Sequence, residues 1–188
     1  MSEGSSVIRR KGSNRHKAYG YSAEINRKII EKFPKDLEGQ CRDWLEKMLG
    51  ERIAWGEETS LSKPGDAFAD ALDDGVVLCR IMNEVRPGTI PKIHGEKGAN
   101  VNVFKMQENI ANFLNACQEE PFNCNPQDLF QTVYLFERQN LGQVISGIQA
   151  FARKAHAFDQ TVPLFGPKEA EKNPRNFPEQ PKCYRGDI

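Results

Sequence analysis

The chain has 188 residues, equal numbers of basic and acidic side chains (26 each) and 38% hydrophobic residues, which suits one globular domain with flexible ends. No apolar run approaches the roughly 20 residues that a membrane-spanning helix needs, and residues 1–20 contain no apolar stretch of the signal-peptide kind. The neutrality is partitioned: residues 1–20 hold five Lys/Arg against one Asp/Glu and residues 168–188 five against four, which leaves 16 against 21 in between. An acidic body argues against nucleic acid as a partner, because phosphate contacts need clustered Lys and Arg.

In chain order, residues 1–20 are Ser-, Gly-, Arg- and Lys-rich and cannot bury enough apolar surface to offset ordering entropy, so a flexible basic arm is expected. Ser22 then caps a helix using Ile25, Ile29 and Phe33, which Pro34 stops. Cys41, Trp44, Leu45, Met48 and Leu49 recur at helical spacing and end at Gly50, a usual residue just past a helix. Residues 51–64 read as a loop. Asp74 caps a helix carrying Leu78, Ile81, Met82 and Val85, and Pro87-Gly88 reads as a turn. After a second loop over 88–102, Met106, Ile110, Phe113, Leu114 and Cys117 make another apolar face. Pro126 opens a short helix into Leu129 and Phe130. Leu141, Val144, Ile145, Ile148, Phe151, Ala152 and Ala155 make the longest stripe. From Pro163 onward, Pro163, Pro167, Pro174, Pro178 and Pro181 forbid a regular helix, so an extended tail is expected. No alternating β-branched run reads as a strand. The expectation is an all-α fold: an arm over 1–20, one domain over 21–160, and a Pro-rich tail over 161–188.

Catalytic and metal chemistry finds no purchase in the pattern. His16, His94 and His156 lie in no metal-ligand spacing, and neither a nucleophile elbow nor a Gly-rich phosphate loop is present. Asp70, Asp73, Asp74 and Gly75 suggest a calcium loop. That template fails, because counting Asp70 as position one puts Leu72 at position three. The plainer reading is that Asp73 and Asp74 favour the positive end of the following helix. The five cysteines form no C-x-x-C pair and fit a reducing compartment; Cys41, Cys79 and Cys117 sit in apolar helical patterns and read as buried thiols. No enzyme activity, cofactor or metal is expected, and no heptad seam implies more than a monomer.

The residues also carry a resemblance. Asp74-Gly75-Val76-Val77-Leu78-Cys79, then Asn83 and Arg86-Pro87-Gly88, resembles the central signature of a calponin-homology domain. Phe104-Lys105-Met106-Gln107-Glu108-Asn109-Ile110, followed by Asn112-Phe113-Leu114, is similar to that family's next helix. Asp128-Leu129-Phe130, Leu135-Phe136-Glu137, Asn140 and Gln143-Val144 are similar to its closing helices. Upstream, Tyr19-Gly20-Tyr21-Ser22-Ala23-Glu24-Ile25 and Trp44-Leu45 resemble the start of single-domain members such as calponin, transgelin and myophilin.

The resemblance implies an all-α, non-enzymatic, cytoplasmic module of the muscle or cortical cytoskeleton, associated with actin filaments. Its signature residues have structural duties: Leu78 and Phe113 as core, Gln107, Glu108 and Asn109 as caps or bridges between helices, Gly75 and Gly88 for backbone geometry. The stretch from Gly166 to Phe177 resembles the family's basic actin-contact linker, which makes Lys168, Lys172 and Arg175 the candidate actin contacts. The interleaved Glu169 and Glu171 dilute that patch, and a solvated tail is the alternative reading. The family continues into a short calponin repeat that this chain lacks up to Ile188. A lone domain of this type is also a docking site for signalling proteins, so a scaffold for a kinase or other regulator is the second functional reading. Arg10-Lys11-Gly12-Ser13 resembles a basophilic kinase site, which makes Ser13 a candidate for phosphorylation.

Overall fold

The computed structural model describes residues 20, 24–25, 27–28, 31–58, 62–95 and 101–168. Six complete helices follow one another among these: α1 (Lys35–Leu49), α2 (Asp66–Leu72), α3 (Val76–Val85), α4 (Val103–Gln118), α5 (Thr132–Phe136) and α6 (Leu141–Phe158). No strand occurs among the described residues, so the all-α expectation holds. Ahead of α1, Glu24, Ile25, Arg27, Lys28 and Glu31 are helical. Ser22 and Ile29, the expected cap and one of the expected apolar positions there, lie outside the described residues.

The caps show why the helices begin and end where they do. Asn102 and Asn140 accept the N–H groups of Lys105 (3.0 Å) and Gln143 (3.2 Å) with their side chains, satisfying donors that the first turns of α4 and α6 leave unpaired. Asp74, read from the sequence as the cap, accepts the Val76 N–H at 2.9 Å but sits one residue ahead of the actual cap. The cap itself is Gly75, at φ 72. A Cβ there would lie 2.7 Å from the Asn109 Cβ and 2.8 Å from the Ile110 nitrogen, so α3 begins hard against α4.

Two short helices differ from expectation. α2 occupies what looked like the approach to the Asp74 cap, and its seven residues are too few to set up a periodicity. Residues 126–128, expected to open a helix, form a turn in which the Asp128 N–H reaches the Asn125 carbonyl at 2.9 Å; the helix comes later, as α5.

Phe151 on α6 is the centre of packing. It meets Trp44 of α1 edge-on (centroids 6.4 Å), Phe113 of α4 (5.3 Å) and Phe122 of the following loop (5.2 Å). Trp55, in the loop between α1 and α2, stacks on Phe68 at 5.7 Å and is covered by the Arg42 guanidinium 5.0 Å from its ring, so that loop is tied to both helices. No helix among the described residues is long and apolar enough to cross a membrane.

Cys41, Cys79, Cys117 and Cys124 are buried thiols, none of them in a disulfide. Desolvation is the main reason that the Cys41 and Cys117 thiols are pushed well above the ordinary range, with Glu38 adding to the effect at Cys41 and Cys124 at Cys117. The reactive thiolate is therefore suppressed twice, by access and by charge. Native protein at pH 8 is expected to leave these four thiols unmodified by a thiol-specific disulfide reagent, and unfolding in urea to release them; rapid labelling of Cys41 or Cys117 without urea would contradict this packing.

Candidate functional site

Of the residues singled out in sequence, Lys168 is described and exposed; Lys172, Arg175 and Ser13 lie outside the described residues. Lys168 lines a concavity of about 340 Å³ together with Arg153 and Lys154 from the second half of α6 and Asn123, Asn125 and Asp128 from the loop between α4 and α5. Among the described residues, three basic side chains and one acidic side chain thus line a partly enclosed space, on a domain whose sequence is otherwise acidic. Arg153 and Lys154 were passed over in sequence because they interrupt the apolar stripe between Ala152 and Ala155, which marks them only as a helix's polar side. Consecutive bases in the last turns of the helix leading to Lys168 were the available signal.

Lys168 reaches the concavity because the chain does not leave the domain at the end of α6. The Asp159 carboxylate accepts the Thr161 N–H at 2.8 Å, and this bond holds Asp159 below the usual carboxylate range. The turn returns the chain toward α1. The next two carbonyls are both taken by ring nitrogens: His156 Nδ1 lies 2.7 Å from the Val162 oxygen and therefore carries a proton, and the Trp44 indole N–H donates to the Pro163 oxygen at 2.7 Å. Val162 and Phe165 are buried, and Phe165 stacks on Trp44 with centroids 6.1 Å apart. The tail expected from residue 161 onward is thus packed on the core as far as Phe165. The described residues 163–168 are not helical, and Val162 and Phe165 supply apolar groups that an extended segment buries as well as a helix does.

The acidic cluster that suggested calcium is occupied by a side chain. Arg138 pairs with Asp70, lies 3.6 Å from Asp66 and 3.9 Å from Asp73, and so joins α2 to the end of α5. A guanidinium fork suits several carboxylates at once.

The chain matches the family model described as calponin homology (CH) domain over residues 35–157. It is 38% identical to calponin-1 of Meleagris gallopavo, over 92% of this chain and 86% of that one. It is 35% identical to myophilin of Echinococcus granulosus, over 86% and 78%. Against calponin-2 of Mus musculus the identity is 34% over 87% of this chain, which spans about half (48%) of that protein's length. Among solved structures, Vav1 inhibited by an allosteric inhibitor aligns with a TM-score of 0.53 and 27% identity, covering 72% of this chain and 24% of Vav1.

Proposed function

The chain belongs to the calponin/transgelin family through its calponin-homology domain, and on that premise we propose that it is a non-catalytic cytoskeletal protein that binds the side of actin filaments electrostatically. The observation that carries the reading is the seat of Lys168. The first basic residue of the linker-like stretch lies at a cationic concavity of the domain, at the point where Lys172 and Arg175 follow in sequence. An actin filament presents an acidic surface, and the net-negative domain body offers it no general attraction. Binding must therefore come from a local basic patch or from the basic ends.

Filament cosedimentation over a salt series tests this. Wild-type chain is expected to pellet with filaments at low salt and to be released as salt shortens the screening length. Neutralising Lys168, Lys172 and Arg175 together is expected to weaken binding several-fold to tens-fold, from three contacts of about 0.2–1 kcal/mol each. Folding should be unchanged, because exposed substitutions shift stability by about 0.5 kcal/mol or less. Deleting residues 1–20 is expected to do less. A wild-type chain that stays in the supernatant at every salt concentration overturns the actin reading and favours the scaffold role.

A further inference from the structure

The contacts of residues 162–166 are heavy for a segment that merely leads out of a domain. Two successive carbonyls are clasped by ring nitrogens from different helices, two apolar side chains are buried, and the segment then turns sharply at Gly166, where φ is 88. That backbone conformation strains any residue with a side chain, and a Cβ at this position would also run into the Gln149 side chain of α6. Two residues beyond the turn, Lys168 shares the lining of one concavity with Arg153 and Lys154. Burial of Val162 and Phe165 accounts for stability, but it does not account for a left-handed turn after the last buried residue.

Taking the filament-binding reading as given, we infer that residues 162–166 are a strap that fixes Lys168 beside Arg153. The basic contact is then made jointly by α6 and the start of the tail, and Gly166 and Trp44 are positioning residues for it. The partner chemistry is a short acidic segment, because the concavity is small and Arg153, Lys154 and Lys168 stand beside Asp128 among its described lining residues. Held cations bind better than the same cations on a free chain, since the strap has already met the entropy cost of bringing them together. The body's net negative charge also makes a concentrated patch more effective than scattered bases.

The test uses the full chain and two probes: actin filaments in cosedimentation, and a fluorescent decaglutamate peptide in titration. Gly166→Val strongly disfavours the left-handed turn, whereas Gly166→Asn strains it less, because Asn visits that region; both bring a Cβ up to the flexible Gln149 side chain. Arg153→Gln removes the helix's contribution without touching the strap. Gly166→Val and Arg153→Gln are each expected to weaken binding of both probes roughly fivefold, and Gly166→Asn to weaken it clearly less than Gly166→Val; the thermal midpoint of Arg153→Gln should stay unchanged. Because Asn and Val bring the same Cβ up to Gln149, weaker binding by Val than by Asn is an outcome that this contact alone does not produce. If Arg153→Gln and Gly166→Val bind like wild type while the Lys168/Lys172/Arg175 variant fails, the tail acts alone; the strap inference falls and the filament reading stands. If wild type ignores filaments but binds decaglutamate, and Arg153→Gln loses that binding, the filament reading falls and the jointly built acidic-segment site stands. A wild-type chain that binds neither probe overturns the strap inference. Should Gly166→Val fail to fold, the Arg153→Gln and Gly166→Asn results decide.

Discussion

Replacing Trp44 by Ala is expected to lower the stability of the domain by about 3–5 kcal/mol, the range for removing a large buried aromatic. Trp44 is 3% exposed and holds two layers together: its ring lies between Phe151 of α6 and Phe165 of the strap. Its N–H also satisfies the Pro163 carbonyl. Truncation therefore removes packing on both faces and leaves a carbonyl without its partner. For a chain of this size the thermal midpoint should fall on the order of 10 °C. Urea denaturation checks the result, with the midpoint concentration moving and the slope staying constant. Trp44→Phe separates the two contributions. It keeps an aromatic ring and loses the N–H, so it should cost clearly less in stability while still loosening the strap. An Ala variant with an unchanged midpoint would show that the contacts of α1 with α6 and the strap contribute nothing, contrary to this packing.

The second large effect is expected at Asn109, which is 0% exposed. Its amide nitrogen donates to the Asp74 carbonyl at 2.9 Å and to the His94 carbonyl at 2.8 Å, and its side-chain oxygen accepts the His94 N–H at 3.0 Å. One side chain on α4 thus ties down both the start of α3 and the loop beyond it, where backbone groups have no helical partners of their own. Asn109→Ala orphans three backbone groups, at about 1–3 kcal/mol for each that stays dry. Because the His94 end is half-buried, water repays part of this, and a net loss of about 2–4 kcal/mol is expected. Asn109→Asp should do no better, since it removes the donor and buries a charge. Hydrogen exchange adds a local readout: the His94 amide should lose protection by more than the global change in stability. Equal loss of protection throughout the chain would mean that the loop is held by other contacts.

Much of this architecture was legible in the chain. The apolar spacings of Cys41–Trp44–Leu45, Leu78–Ile81–Met82–Val85 and Leu141–Val144–Ile145–Ile148 report helix faces directly, because burying one side of a helix requires that period. The bridging duty expected around Asn109 was legible too, but only through the resemblance; a single Asn within an apolar stripe does not name its partners. α2 escaped notice because two turns are too short for periodicity to distinguish from a loop.

The sequence by itself determined the fold class and the family, since both rest on local pattern and on motifs read in order along the chain. It also placed the candidate contact at the start of a basic, proline-rich stretch. Only the tertiary structure decided that Arg138 is the cation among Asp66, Asp70 and Asp73, that Phe165 closes over Trp44, and that Arg153 and Lys154 share a concavity with Lys168. The physical reason is the same in each case. Charge pairing and extended-segment burial depend on distances between groups far apart along the chain, and those distances exist only once the helices have packed.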